Sequence, residues 1–594
     1  MGTGFTIDTP VRVAKYGISS VVSLVDDTLI EQMRRYHAER MGEAYEPIGD
    51  RDEDHRARRI TGYLDLLNRI VRRQIEEIRS APFEPESEIT RYFELLPDGP
   101  LRRLYLDMLE TKDPAAREAL QAELRRRIVP GRIDVNIMTK LDRDAYRGTE
   151  KLGPEYSDAL SAMRGFALSG LDDACIVLSA GMNPRLYTYA SQFEDFYPDE
   201  SGYLKKKLCL KVSDYRSALI QGKFLAKRGL WVTEYRIESG LNCGGHAFAT
   251  KGYLMGPILE EFRTRGKELV DSLHEIYRKA LVEQGRADRA EPLAARVTVQ
   301  GGIGTAEEDE LLRRHFGVYG TGWGTPFLLV PEVTNVDDEQ LAKLVAANEE
   351  DVFLSGSSPL GIPFWNLRSS SSEQARRGRI EAGRPGSPCP KGHAVTTTEF
   401  AQIPQCVAAR AYQRRKLEDV ERNGTPGERL ARVREEVMAR SCICHDLAGG
   451  ATLKLGIDPK ATPAVCPGPG IADFSKVVTL AEMVGHIYGR LSLVTNPDRP
   501  HMFIRELKLY VRHLREEVEK LADGIAAQKP KYFEEFRDNL HEGVEFYRRL
   551  VPVLSARVRE RFSQGLESLM EEIRSIEIPG VAETTEGNLG RVTA

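Results

Sequence analysis

Arg296-Val297-Thr298-Val299-Gln300-Gly301-Gly302-Ile303-Gly304-Thr305-Ala306-Glu307-Glu308 is the stretch on which the fold turns. Its first five residues read as a short strand, its glycines as a tight turn, and Ala306 onward as the opening of a helix. Glycines at a strand-to-helix turn let backbone N–H groups approach an anion, and the helix N-terminus favours negative charge. A Gly-rich turn serves as often merely as a tight bend, so this stretch sets an element order before it sets a ligand.

One helix later comes a second such turn, Gly320-Thr321-Gly322-Trp323-Gly324-Thr325-Pro326-Phe327. Two Gly-rich turns at successive strand ends suggest a single phosphate cradle, as at the late loops of a TIM barrel. Upstream, Ile133–Met138, Ala174–Leu178, Leu208–Val212 and Trp231–Ile237 read as strands, and Phe327–Val330 as another downstream. Amphipathic stretches separate them; in 258–281, Ile258, Phe262, Leu269, Leu273, Ile276 and Leu281 recur at helical spacing. Strand–helix alternation predicts a parallel sheet, either doubly wound or closed. Further strand candidates near Gly4–Thr9, Ser20–Val25 and Val352–Leu354 bring the count close to the eight of a TIM-type (β/α)8 barrel, which favours the barrel.

On this reading residues 1–365 form the barrel, with a charged helical insertion over 27–130. Residues 366–475 form a linker and a Cys-rich region. Ser369 to Ser372, Arg376, Arg377, Arg379 and Gly383–Pro388 read there as a solvated loop, or as a basic clamp over an anionic substrate. Residues 476–594 are mostly helical, with Leu507, Val511, Leu514, Val518 and Leu521 on one apolar stripe that core packing explains. The long helices at Met502–Leu521 and Tyr532–Leu550 leave room for a homo-oligomer.

Bulk properties narrow the function classes. Of 594 residues 41% are hydrophobic and 29% charged, which is globular, and the net charge of −5 gives no reason to expect nucleic acid or an anionic membrane as partner. No apolar run is long enough to span a bilayer, and Met1–Lys15 lacks a secretory pattern, so a cytoplasmic protein is expected.

A third segment carries chemistry. Glu238-Ser239-Gly240-Leu241-Asn242-Cys243-Gly244-Gly245-His246-Ala247-Phe248 follows the strand Trp231–Ile237. His246 lies on a loop after a strand's C-terminal end, where barrel active sites sit, and an imidazole there can take a proton near neutral pH. The three segments together, in order and spacing, resemble the nitronate monooxygenase family, formerly 2-nitropropane dioxygenases, and the related flavin-dependent enoyl reductases. Gly240 to His246 is similar to the family's loop ending in Gly-His, with Cys243 as its Cys variant. Gly301-Gly302-Ile303 and Gly324-Thr325-Pro326-Phe327 are similar to its later turns, Lys211 to Ala218 to its Lys-containing segment, and Val135-Asn136-Ile137 to its Val-Asn-Leu strand.

The resemblance implies an FMN-binding TIM-type barrel. It implies FMN held by Asn136, Lys211, Gly301, Gly302, Gly324 and Thr325, with His246 removing a proton from carbon or delivering one to it. The sequence departs from the family at Asn242, where an acidic residue is usual, at Phe248, and in the whole region after residue 360. The fold and cofactor survive these departures; a nitronate as substrate does not.

The cysteines divide unevenly. Cys175, Cys209 and Cys243 stand singly, whereas Cys389, Cys406, Cys442, Cys444 and Cys466 cluster late in the chain. In a cytosolic protein clustering points to metal before disulfides. Four of these thiolates could hold a 4Fe-4S cluster; zinc with His393 or His445 is the competitor, and buried thiols without metal the third possibility. The expected function is therefore an FMN-dependent oxidoreductase on a small-molecule substrate, with electrons from a donor protein or NAD(P)H. A non-redox sulfur-transfer or lyase enzyme using the Cys-rich region is the alternative, and a scaffold or binding protein is a third.

Overall fold

The computed structural model describes residues 3–148, 150–179, 181–244, 250–388, 391–423, 427–524, 526 and 528–579. They form two compact units, one of residues 1–249 and 258–502, the other of 250–257 and 503–594.

The larger unit is built on a seven-stranded sheet: β1 (Ser20–Ser23), β2 (Ile133–Ile137), β3 (Ala174–Leu178), β4 (Lys206–Val212), β5 (Val232–Glu238), β6 (Arg296–Gln300) and β7 (Gly320–Gly322). Each pairs parallel with the next in chain order. Strictly sequential parallel order is the winding of a (β/α) barrel; a doubly wound sheet reverses its order at a switch point.

The described strands stop short of the closed eight-stranded barrel expected from the sequence: among the described residues β1 and β7 are the two edges of the sheet. The stretches expected to complete it are used otherwise. Gly4–Thr9 turns into a helix, Thr9–Val13, because Pro10 cannot donate to a ladder and presets a first helical turn. Pro326 likewise makes Pro326–Leu329 a 3₁₀ turn where a strand was expected. Val352–Leu354 does form a strand, β8 (Val352–Ser355), but it pairs antiparallel with β9 (Phe364–Leu367), outside the sheet.

The two faces of the sheet differ. Val22, Val135, Ile137, Ile176, Leu178, Leu208, Leu210, Tyr235 and Ile237 are buried on the outer face, which packs under helices such as Asp158–Ala167 and Tyr215–Ala226. The alternate residues line the inner face: Asp134 and Asn136 on β2, Cys209 and Lys211 on β4, Glu234, Arg236 and Glu238 on β5. Parallel strands buried on both sides are usually apolar on both, so this polarity sets the inner face apart.

Helices occupy the stretch between β1 and β2, from Asp27–Met41 through His55–Ser80 to Pro114–Arg126. They are tied back to the end of β1 by buried charge. Asp27 accepts from Arg56 at 2.6 Å and from Arg59 at 2.8 Å, and Arg56 also donates to the carbonyls of Leu24 and Val25 at 3.0 Å. Burial works against ionisation of Asp27, but the two guanidiniums hold its carboxyl below the usual range.

The serine run is no open loop. Ser370 caps the helix Ser371–Glu381, buried Glu373 binds both Arg376 (2.7 Å) and Arg377 (2.8 Å), and Arg379 donates to Ser387 Oγ at 3.1 Å. In the smaller unit, Met502–Ala522, Pro530–Leu550 and Ala556–Arg574 pack around Phe503, Phe536, Leu540, Tyr547 and Leu566. Phe503 and Tyr547 stack there at 4.9 Å, and Glu506 accepts the backbone N–H of Met255 at 2.9 Å.

Replacing Asp27 by Ala removes the carboxylate that Arg56 and Arg59 share, leaving, among the described residues, Arg59 only Asp50 at 2.8 Å and Arg56 only Asp158 at 3.9 Å. Asp27→Ala is expected to destabilise the larger unit by about 3–5 kcal/mol, read as a lowered urea midpoint; an unchanged midpoint would refute the anchoring role.

Candidate active site at the C-terminal edge of the sheet

The loops that follow β5, β6 and β7 meet. Gly301 and Gly302 adopt φ of +100° and +80°, a region other residues rarely enter. A Cβ on Gly301 would stand 2.9 Å from the Cβ of Asn242, and one on Gly302 2.7 Å from Leu241. A Cβ on Gly324 would stand 3.1 Å from that of Cys243. The three glycine-bearing segments are thus in mutual contact, and the absence of side chains is what allows it.

Below them, Lys211 meets Glu238 at 2.6 Å, and Gln300 donates to the other Glu238 oxygen, also at 2.6 Å. Burial opposes the charge on Glu238, but Lys211 holds its carboxyl below the ordinary value. Lys211 is therefore charge-matched from within the chain. Asn136 is buried on the same inner face, on β2.

The helix Ala306–Arg314, expected to offer a bare N-terminus to phosphate, carries its own anion. Thr305 caps the backbone N–H of Glu308, and Glu308 accepts from Gly304 N at 2.9 Å and from Met502 N at 2.7 Å. Arg499 reaches in from after the Cys-rich region, bonding both Glu308 oxygens (2.7 and 2.8 Å) and Asp473 (3.0 Å). Burial alone would raise the Glu308 carboxyl; Arg499 outweighs it and brings it down to about 2. The signal was present in Thr305-Ala306-Glu307-Glu308, a capping pattern, but Arg499 is remote in sequence.

A cavity of about 520 Å³ opens beside these loops. Gly301, Gly302, Gly324, Thr325, Asn242 and Cys243 line one part. Arg132, Asp134, Glu234, Arg236 and Arg296 line the inner face of the sheet, and Phe5, Val13, Phe327, Phe474, Leu480 and Val484 supply an apolar wall. Asn242 is 3% exposed, and among the described residues neither its amide nitrogen nor its amide oxygen has a hydrogen-bond partner. A buried amide with no partner among the described residues is uncommon in a folded protein. Sequence reading marked Asn242 only as a departure from a family pattern.

Of the residues expected to bind cofactor, Gly301, Gly302, Gly324 and Thr325 line this cavity; Asn136 and Lys211 are not among its lining. His246 lies outside the described residues, as does Cys389. The loop that leads to His246 is held firmly, with Trp365 donating to Gly240 O at 2.8 Å.

The late cysteines sit in distinct settings. Cys406 and Cys444 share a small apolar cluster with Ala394 and Ala408, and Cys442 stands at the start of the helix Ile443–Lys454. Cys466 joins the β5 loop: its sulfur accepts Gly244 N–H at 3.2 Å, and its carbonyl accepts from Cys243 Sγ at 3.0 Å. His393 is buried against Asp26 at 3.4 Å, and His445 lies 3.3 Å from Asp446. Among the described residues, no three His, Cys, Asp or Glu side chains come together as metal ligands would.

No protein-family model matches the chain, and no curated protein does. A solved enoyl reductase domain from the macrolactin biosynthesis cluster of Bacillus amyloliquefaciens aligns with 66% of this chain and 86% of its own, at 12% identity and a TM-score of 0.30. A likeness of that degree carries no argument about chemistry.

Two outcomes are expected. Asn242→Leu removes an unsatisfied buried amide, so the ligand-free protein should gain about 1 kcal/mol in urea while ligand binding in the cavity weakens; a destabilised variant would mean the amide is already satisfied. Glu308, depressed in the folded state, contributes stability above its unfolded value near ~4.3 and loses it as pH falls towards 2. Stability from urea denaturation at pH 7, 5 and 3 should fall less steeply for Glu308→Gln than for the wild type, by about 2 kcal/mol over that range. Parallel profiles would contradict the assignment.

Proposed function

We propose that this chain is a flavin-dependent oxidoreductase acting on a small organic substrate, with FMN as cofactor and His246 as acid/base. The observation that carries the reading is the meeting of three glycine-bearing loops at the C-terminal edge of parallel strands, beside a cavity with an unpartnered buried amide. Ligands of such sheets bind at that edge.

The residues present fit the cofactor in part. Gly301, Gly302, Gly324 and Thr325 would hold its polar groups through close backbone approach, and Asn242 would meet a donor or acceptor on its ring. Lys211 acts indirectly: by fixing Glu238 it orients Gln300, which lines the same cavity. When bound, flavin supplies hydride or electron transfer. The chain's own task is to bind, to keep water out with the Phe327–Phe474–Leu480 wall, and to move a proton at His246.

Sulfur-transfer or lyase chemistry has less support. Cys406, Cys442, Cys444 and Cys466, on which it would rest, are not among the residues that line the cavity.

Protein purified without oxygen should carry visible flavin absorption and release FMN on denaturation. Iron and zinc analysis of the same sample tests the metal expected from Cys389, Cys406, Cys442, Cys444 and Cys466: a cluster requires about four irons per chain. His246→Ala should lower turnover by ~100-fold with flavin content unchanged. A colourless protein that takes up no added FMN would sink the proposal, and full activity in His246→Ala would remove that residue from it.

A further inference from the structure

Over its whole lining the cavity carries four arginines, the fourth being Arg313, and four carboxylates, with Asp309 and Asp473 beside Asp134 and Glu234, so the excess of positive charge is local to the inner face of the sheet. Three guanidiniums line it there, Arg132, Arg236 and Arg296, against two carboxylates, Asp134 and Glu234. Both carboxylates are already engaged. Asp134 accepts from Arg132 at 3.1 Å and from Cys175 N at 2.9 Å. Glu234 accepts from Arg236 at 2.6 and 2.8 Å and from Thr298 at 2.5 Å, all on one oxygen.

Arg296 is left over. It is half-buried, its guanidinium lies over the ring of Tyr319 at 3.9 Å, and among the described residues it makes no ion pair. Stacking on an aromatic face holds a guanidinium in place and leaves its N–H edge free for a planar anion. The neighbourhood is positive by another sign too: burial, together with Arg132 and Arg296, holds the Lys207 ammonium below its ordinary value. Lys207 itself is paired with Asp173 and does not line the cavity.

Geometry fixes how such an anion relates to the glycine loops. Arg296 opens β6 and Gln300 ends it, so the Arg296 backbone stands roughly 17 Å below Gly301, five residues at ~3.3 Å each. Facing this span is the apolar wall of Phe5, Val13, Leu480 and Val484. A ligand that satisfies both sides has an anionic head and an apolar body.

We infer that the substrate is a small organic acid whose carboxylate is held by Arg296 on the inner face, its apolar body lying along the wall and extending towards the glycine loops. Calling this ligand the substrate rests on the oxidoreductase reading; its binding does not. Arg296 is on this account a binding residue that sets specificity, and it takes no part in proton or electron movement.

The probe is sodium octanoate, titrated calorimetrically into the full-length protein, with octanamide as its uncharged counterpart. Octanoate should bind the wild type about ten-fold or more tightly than octanamide. Arg296→Gln should erase that difference and leave octanamide binding and bound flavin unaltered. Tyr319→Leu, which removes the supporting ring, should weaken octanoate several-fold and serves as a second variant if Arg296→Gln folds poorly. Equal binding of the two probes by the wild type, no octanoate binding at all, or full octanoate affinity in Arg296→Gln would each overturn the inference. Octanoate bound through Arg296 in a protein devoid of flavin would retain the organic-acid site and reject the flavin reading, so the two fail separately.

Discussion

The constraint on which the larger unit depends is the polarity of one face of its sheet. A parallel sheet with both faces covered normally buries branched apolar side chains on each. Here the outer face does so, while the inner face carries Asp134, Glu234, Arg236, Lys211 and Glu238. Charges out of water are tolerated only when paired, and the strands supply the pairs themselves: Arg132 with Asp134, Arg236 with Glu234, Lys211 with Glu238. A closed barrel of eight strands fills its interior with layers of branched apolar residues. An inner face built of ion pairs cannot interdigitate in that way, and here seven strands with two free edges enclose a cavity beside them.

Segments distant in sequence complete that enclosure. Arg499 joins Glu308 at the start of one helix to Asp473, and Cys466 bonds the β5 loop through both its sulfur and its carbonyl. Phe474, Leu480 and Val484 add the apolar wall. The region following the sheet in the chain is thus structural for the site. Part of the cavity wall, from Gly470 to Tyr488, comes from the region after residue 360, where the sequence resemblance does not reach.

Much of the sheet was legible because short apolar runs bounded by glycines and charges announce strands, and β2 through β6 fall on such runs. Proline decided the failures. Pro10 and Pro326 each convert an apolar run into a helical turn, and an apolar run alone does not distinguish the two outcomes. The contact between Gly301, Asn242 and Gly324 was legible as a set of loops at neighbouring strand ends. The occupation of the helix N-terminus by Glu308 was half legible, in the capping pattern, and half hidden, in Arg499. Asn242 and Arg296 were illegible as site residues, because what marks them is the lack of a partner, and partners are set by tertiary structure.

One pattern in the sequence nonetheless contained the electrostatics of the site. Val232-Thr233-Glu234-Tyr235-Arg236-Ile237-Glu238 alternates apolar and charged residues through its last five positions, within what is otherwise a parallel, doubly covered sheet. Alternation of that kind in a parallel strand has a physical meaning: one face is bordered by something other than a packed core. Carried along the strand, the charges are graded. At the loop end Lys211 cancels Glu238, so the space beneath the glycine turns is close to neutral. At the opposite end Arg132, Arg236 and Arg296 outnumber Asp134 and Glu234. A neutral polar ring and an anionic head have opposite preferences in such a field, and on the proposed reading the ring belongs at the glycine loops and the anion at Arg296. A substrate held in that way would lie along β6 between them.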